Sequence, residues 1–272
     1  MRRIIFGCIL TLFSTVILAQ IKTDLALLNL KGPVKKWEMK LIDPKESSIL
    51  EHKITFFNLR GFKTKEETLG NFAQIQNFVY DEKGRLIKSF IEGDNDAVEY
   101  LYHTNADNSL TVIHKYKTKG MPDRIISENT YDKNGLLIIE KTEDESCEEG
   151  CEKLENGMNK YSHHYDEQGN LVEIRNELFN HESTKYTNKY IDGKLVEQTE
   201  YMYGGKVVRT FDANGYQIKL EEFPPYGFGD GSVSSIQRWK NAVDEHGNMV
   251  KIEQFDDVNH LSSIIENSYE YY

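Results

Sequence analysis

The sequence predicts an all-β protein: an elongated, twisted antiparallel sheet of repeated β-hairpins, with one short helix near the N-terminus. Three observations carry that expectation. One phrase recurs, at Tyr80-Asp81-Glu82-Lys83-Gly84, Tyr131-Asp132-Lys133-Asn134-Gly135 and Tyr165-Asp166-Glu167-Gln168-Gly169, with looser copies at Phe211-Asp212-Ala213-Asn214-Gly215 and Val243-Asp244-Glu245-His246-Gly247. A copy one residue shorter sits at Tyr190-Ile191-Asp192-Gly193. The third residue after each Gly is β-branched (Ile87, Ile138, Val172, Val196, Ile218, Val250), and a charged residue follows in every copy except the one with Ile139. The landmarks are also regularly spaced: Gly169, Gly193 and Gly215 fall 24 and 22 residues apart.

Each copy reads as strand, tight turn, strand. The Asp side chain accepts hydrogen bonds from backbone amides just after it, and the Gly supplies a positive φ without a Cβ clash. The alternation beyond the Gly turns one residue toward an interior and the next toward water. A lone hairpin is marginal in water, so the copies must bury their faces against one another.

Taken in order, residues 1–19 read as a secretory signal peptide: Arg2 and Arg3 precede an apolar run from Ile4 to Leu18, and Ala19 offers a small residue for cleavage before Gln20. The run is short for a membrane-spanning helix, and no later stretch is long and apolar enough to cross as one. Residues 20–53 form a lead-in. Within it, Thr23 and Asp24 are candidate N-caps of a short helical turn that ends before Gly32. Val34 to Leu41 alternates, with Trp37, Met39 and Leu41 on one face and Lys36, Glu38 and Lys40 on the other, which predicts a half-buried strand. Residues 54–272 make up the hairpin domain, with degenerate repeats at 54–62 and 100–112. Insertions at 143–160 and 224–235 interrupt it, and the last strand, ending at Tyr272, reads as a sheet edge.

The chain carries 28% charged and 39% hydrophobic residues, a globular composition. Loss of residues 1–19 removes Arg2 and Arg3, taking the net charge from −11 to −13. So acidic a chain is a poor partner for nucleic acid, whose phosphates need Lys and Arg.

The recurring Tyr-Asp-x-x-Gly-x-Leu-Ile phrase resembles the YD, or Rhs, repeat. Leu30-Lys31-Gly32-Pro33-Val34-Lys35 and the export signal add a likeness to the small exported YD-repeat proteins of Bacteroidota. The resemblance covers roughly residues 54–272. It implies β-hairpins wound into a spiral sheet, which in large members encloses a toxin or forms a cell-surface barrel. Too few copies are present for a closed shell, so the hairpin architecture carries over and the encapsulating role does not.

Four groups of residues are candidates for chemistry or recognition. Cys147 and Cys151 predict a disulfide in an oxidising compartment; the sharper alternative is a metal half-site with His163-His164, although neighbours in a strand point to opposite faces. Tyr226, Phe228 and Trp239, near the Gly-rich stretch, could offer flat faces to a glycan or peptide. The repeated Tyr80, Tyr131, Tyr165 and Tyr190 fit a core-packing ladder better than a ligand surface. Finally, the turn residues Asp81, Gly84, Asp132, Gly135, Asp166, Gly169, Asp192, Gly193, Asp212, Gly215, Asp244 and Gly247 carry the architecture. Gly-x-Ser-x-Gly and His-Glu-x-x-His motifs are missing from the sequence, and no catalytic residue, metal or cofactor is assigned. The expectation is an exported, non-enzymatic binding or interaction scaffold at the cell envelope, periplasmic, surface-exposed or secreted, whose partner is an unidentified envelope protein or glycan. A carbohydrate-binding module using exposed aromatics is the alternative, and a secreted enzyme comes third.

Overall fold

In a computed structural model, residues 23–143, 158–177, 183–202, 204–225 and 232–272 are described. Helix α1 (Asp24–Leu27) comes first, capped as expected by Thr23, whose hydroxyl accepts from the Ala26 amide at 3.2 Å. Eighteen strands follow among the described residues. They are β1 (Val34–Asp43), β2 (Ser48–Phe57), β3 (Lys63–Leu69), β4 (Gln74–Tyr80), β5 (Leu86–Ile91), β6 (Asp96–Thr104), β7 (Leu110–Thr118), β8 (Arg124–Tyr131) and β9 (Leu137–Glu143). The chain continues through β10 (Met158–Tyr165), β11 (Leu171–Asn176), β12 (Ser183–Ile191), β13 (Lys194–Met202), β14 (Gly205–Phe211), β15 (Gln217–Phe223), β16 (Ser235–Val243), β17 (Met249–Phe255) and β18 (Leu261–Tyr271).

Every strand pairs antiparallel with its chain neighbours, and β18 pairs in turn with β1. The result is a closed 18-stranded barrel rather than the open, elongated sheet suggested by the repeat, and β18 is not an edge. Closure has a physical cause. An open ribbon would leave two rows of unpaired N–H and C=O groups, whereas β1 and β18 alternate in compatible phase. Trp37 lies opposite Tyr269, Met39 opposite Asn267, and Leu41 opposite Ile265. β1, from the lead-in region, and β2, which crosses its boundary with the hairpin domain, are thus strands of the same barrel as the repeats.

Because partners across a ladder share a face, the registers sort the side chains onto two walls. One wall carries Trp37, Tyr80, Tyr100, His114, Asn129, Tyr165, Asn188, Trp239, Asn267 and Tyr269. The other carries Lys36, Glu38, Lys65, Glu67, Ile113, Lys141, Lys219 and Glu253. The first wall faces inward, as the path of the N-terminal segment shows. That segment donates from the Leu25 amide to the Gly61 carbonyl at 3.1 Å and accepts from the Tyr80 phenol at Asp24 (2.8 Å). Six residues on, the Lys31 amide donates to Asn248 Oδ1 at 2.6 Å. It therefore reaches from β4 to the start of β17 across the inside of one mouth.

The inner wall is not the continuous apolar interior that the hairpin reading expects. The main apolar cluster is small and lies beneath this plug: Leu25, Val34 and Phe57, with Leu30, Trp37, Tyr269 and Tyr271 packed against it. Elsewhere the buried positions include Thr55, Ser89, Ser127, Asn176 and Asn248. A barrel of this circumference cannot be filled by one layer of side chains, so polar residues with internal hydrogen bonds line it.

All the repeat turns close at the plugged mouth. In the turns starting at Asp81, Asp132, Asp166, Asp212 and Asp244, the Gly amide donates back to the Asp carbonyl at 3.0 Å and the Asp amide donates to the carbonyl four residues on. The Asp Oδ1 takes the amide four residues ahead, for example Asn170 on Asp166 at 2.8 Å and Leu136 on Asp132 at 2.9 Å. Asn58 and Asn105 head the degenerate copies, where the Gly61 and Asn108 amides close equivalent turns. The shorter copy is a two-residue turn in which Asp192 (φ 49) and Gly193 (φ 75) both have positive φ, the geometry that suits a tight hairpin.

Candidate functional site

A bulge follows each full-length Asp turn, where the register slips by one residue, as at Val79/Tyr80 opposite Leu86 and His164/Tyr165 opposite Leu171. A bulge withdraws a backbone group from the ladder, and here a side chain from the neighbouring hairpin meets it. Tyr102 donates to the Leu86 carbonyl at 2.8 Å, Tyr165 to Leu137 at 2.8 Å and Tyr269 to Met249 at 2.9 Å. Asn188 and Asn241 do the same for Leu171 (3.1 Å) and Gln217 (3.2 Å). Other phenols reach the turn carboxylates, Tyr190 on Asp166 and Tyr271 on Asp244, both at 2.5 Å. The repeated tyrosines thus serve as hydrogen-bonding ties more than as stacked rings, although Trp37 and Tyr269 do stack at 6.5 Å.

Between α1 and the inner wall of β4 to β8 lies a cavity of about 290 Å³. Phe62, Tyr80, Tyr100, Tyr102 and Tyr131 bring rings to it, and Leu27 and Leu86 are among the aliphatic side chains that complete it. Phe62 and Tyr80 meet at 5.0 Å, and Tyr100 stands edge-on to His114 at 4.8 Å. Three of the phenols are engaged by α1 and the wall: Tyr80 with Asp24, Tyr102 with the Leu86 carbonyl, and Tyr100 with Ser89 at 3.2 Å. Burial raises the Tyr80 and Tyr131 pKa values and pushes Tyr102 up to about 12, so these phenols stay protonated. Burial lowers the His114 pKa, which favours the neutral ring at pH 7.

His114 Nδ1 lies 2.7 Å from Ser127 Oγ. Farther round the wall, His163 Nε2 meets Glu140 Oε2 at 3.1 Å. The buried Asn129 Oδ1, between these pairs, has no hydrogen-bond partner among the described residues. A serine beside a histidine suggests nucleophilic chemistry, which would also need an acid to orient the other ring nitrogen of His114. Among the described residues no group of three or more His, Cys, Asp or Glu is placed to hold a metal ion.

Of the residues singled out from sequence, the turn Asp and Gly residues ring the plugged mouth, and Trp239 is half-buried on the inner wall opposite Gln254. Tyr226 and Phe228 lie outside the described residues, as do Cys147 and Cys151 and the signal segment 1–19. His163 and His164 take opposite walls, as adjacent strand residues must: His163 pairs with inward Ile174, and His164 with outward Glu173. Sequence reasoning missed the ring-lined cavity and the role of Asn248. That side chain is 1% exposed and binds the Lys31 backbone twice, accepting from its amide and donating to its carbonyl at 2.8 Å. The Asn could have been flagged only as a polar residue two positions short of the β-branched site.

No protein-family model matches the chain, and no curated protein matches it. Among solved structures it is similar to a porin-like protein from Bacteroides uniformis, at 12% identity and TM-score 0.41, over 88% of this chain and 98% of that one. A porin-like protein from Bacteroides vulgatus matches over 88% and 99% of the two chains, at 10% identity and TM-score 0.24. TcdB2-TccC3 without its hypervariable C-terminal region matches over 80% of this chain but 12% of its own, at 13% identity and TM-score 0.23. At these scores the likenesses carry no functional argument.

Proposed function

We propose that this chain is an exported, non-enzymatic binding scaffold of the cell envelope, a YD-repeat-like barrel bathed in water on its outer wall rather than a lipid-facing pore. The observation that carries this reading is the chemistry of the outer wall. A barrel that crosses a membrane presents an apolar outward band roughly 25 Å tall. Here the outward positions hold charges in mid-strand around the circumference. Lys36, Glu38 and Lys40 pair on β1 at 3.3 and 3.2 Å, Lys65 and Glu67 on β3 at 2.6 Å, and Glu173 and Arg175 on β11 at 3.0 Å. Lys219 and Glu221 pair at 2.7 Å on β15, and Lys251 and Glu253 at 2.8 Å on β17. The inner wall offers no lipid-compatible band either, since Asn129, Asn188, Gln198 and Asn267 interrupt it.

Export and the water-bathed wall are tested together by expressing the full chain in a Gram-negative host. The mature protein is expected to begin near Gln20, to fractionate without detergent and to stay off protein-free liposomes. Conductance in planar bilayers, or a chain still starting at Met1, would overturn the reading. A pull-down from native envelopes then identifies the partner.

A further inference from the structure

We infer that the cavity beneath α1 is a binding site for a small, flat, uncharged and mainly apolar ring compound. This deepens the binding-scaffold reading and rests on it. The wall chemistry selects the ligand class. The hydroxyls of Tyr80, Tyr100 and Tyr102 are committed to Asp24, Ser89 and the Leu86 carbonyl, so their ring carbons remain for a guest. Leu110 and Val112, successive inward positions of β7, add aliphatic surface.

The charged groups at the margins are already engaged. The Asp24 carboxylate accepts from the Lys63 amide at 2.7 Å as well as from Tyr80. Arg85 is held by Asp81 at 2.6 Å while it lies over the Tyr102 ring at 4.8 Å. A cationic guest would find the Tyr102 ring already covered by Arg85 and Asp24 Oδ2 already taken by two donors, and an anionic guest would meet no Lys or Arg among the residues lining the cavity. A sugar, with hydroxyls on every edge, would lose more water contacts than this ring-rich lining, with Tyr80 and Tyr102 already donating elsewhere, can replace. A flat hydrocarbon-rich ring loses nothing of that kind and gains edge and face contacts with five aromatic rings.

The test titrates the full chain with N-phenyl-1-naphthylamine, a neutral fluorescent ring probe, and with its sulfonated relative 8-anilinonaphthalene-1-sulfonate. The neutral probe should saturate at one site per chain, and the sulfonate should bind at least about tenfold more weakly because its charge must be desolvated. Leu110→Trp fills the cavity and should weaken the neutral probe about tenfold or more through overpacking. Ile113→Trp, three residues along the same strand but on the outer wall, should leave it unchanged. If Leu110→Trp fails to fold by circular dichroism, Val112→Phe makes the same test from the next inward position. Equal binding of both probes, equal effects of inward and outward substitutions, or no saturable binding would each overturn the assignment. Partner capture and solubility without detergent are separate readouts, so failure of the scaffold reading and failure of the cavity assignment are told apart.

Discussion

The Trp37 indole donates to Asn267 Oδ1 at 2.9 Å, and the same Asn267 donates from Nδ2 to the Met249 carbonyl at 2.9 Å, so one amide ties β1, β18 and β17 together at the seam. Replacing Asn267 by Leu leaves the indole N–H without its partner and the Met249 carbonyl with the Tyr269 phenol alone. The expected loss is about 1–3 kcal/mol, the cost of unsatisfied buried polar groups. It should appear as a lower urea midpoint with an unchanged slope.

Two turn glycines separate backbone strain from crowding. Both Gly84 (φ +82) and Gly169 (φ +80) need the left-handed region, but a Cβ on Gly84 would sit 2.5 Å from Phe62 Cζ, whereas one on Gly169 meets open space. Gly169→Ala should cost about 1–2 kcal/mol for the left-handed backbone alone. Gly84→Ala should cost a further ~1–3 kcal/mol for overpacking. Chemical unfolding of both variants checks the difference, and equal costs would contradict the packing described.

Removal of a single tie between hairpins should be felt. Tyr165→Phe leaves the Leu137 carbonyl at a bulge without its donor and should lower stability by about 1 kcal/mol. Hydrogen exchange near Leu137 should rise, while amides on the far side of the ring stay protected.

Acid should destabilise the first strands through Glu38. The hydrogen bond from Lys40 is the main cause that pulls its carboxyl pKa down to about 2; burial opposes this, and His52 and Lys36 reinforce it. A carboxylate with a depressed folded-state pKa contributes stability that is fully present above its unfolded value of about 4.3 and is lost as pH falls toward the folded value. Between about pH 4.5 and 2, the wild type should therefore lose stability more steeply than Glu38→Gln. Parallel slopes would show that the cluster contributes nothing.

These relationships also show what the chain discloses locally and what it withholds. The Asp and Gly corners, the Thr23 cap and the alternation through Trp37, Met39 and Leu41 are set by neighbours within a few residues, and the structure has them where the sequence puts them. Closure depends on residue 37 meeting residue 269, a pairing with no local signature that is decided by the number of strands and their stagger. The same holds for the plug. The Thr23 cap announces a helical turn, but nothing near Asp24 announces Tyr80 or Gly61. Because the cavity is made by bringing α1 over five distant strands, its rings look in sequence like ordinary strand aromatics.

The ties between hairpins have one further consequence. Beyond the backbone ladders, five of the units are fastened to a neighbour by the same few atoms, a phenol or an amide on a bulge carbonyl. Girth is therefore a matter of counting: duplicating or deleting one Asp-Gly unit would widen or narrow the bore by two staves, and the plug that reaches from Tyr80 to Asn248 would have to span the new width. Gene-level gain and loss of units would then retune what fits inside while leaving the wall's construction intact.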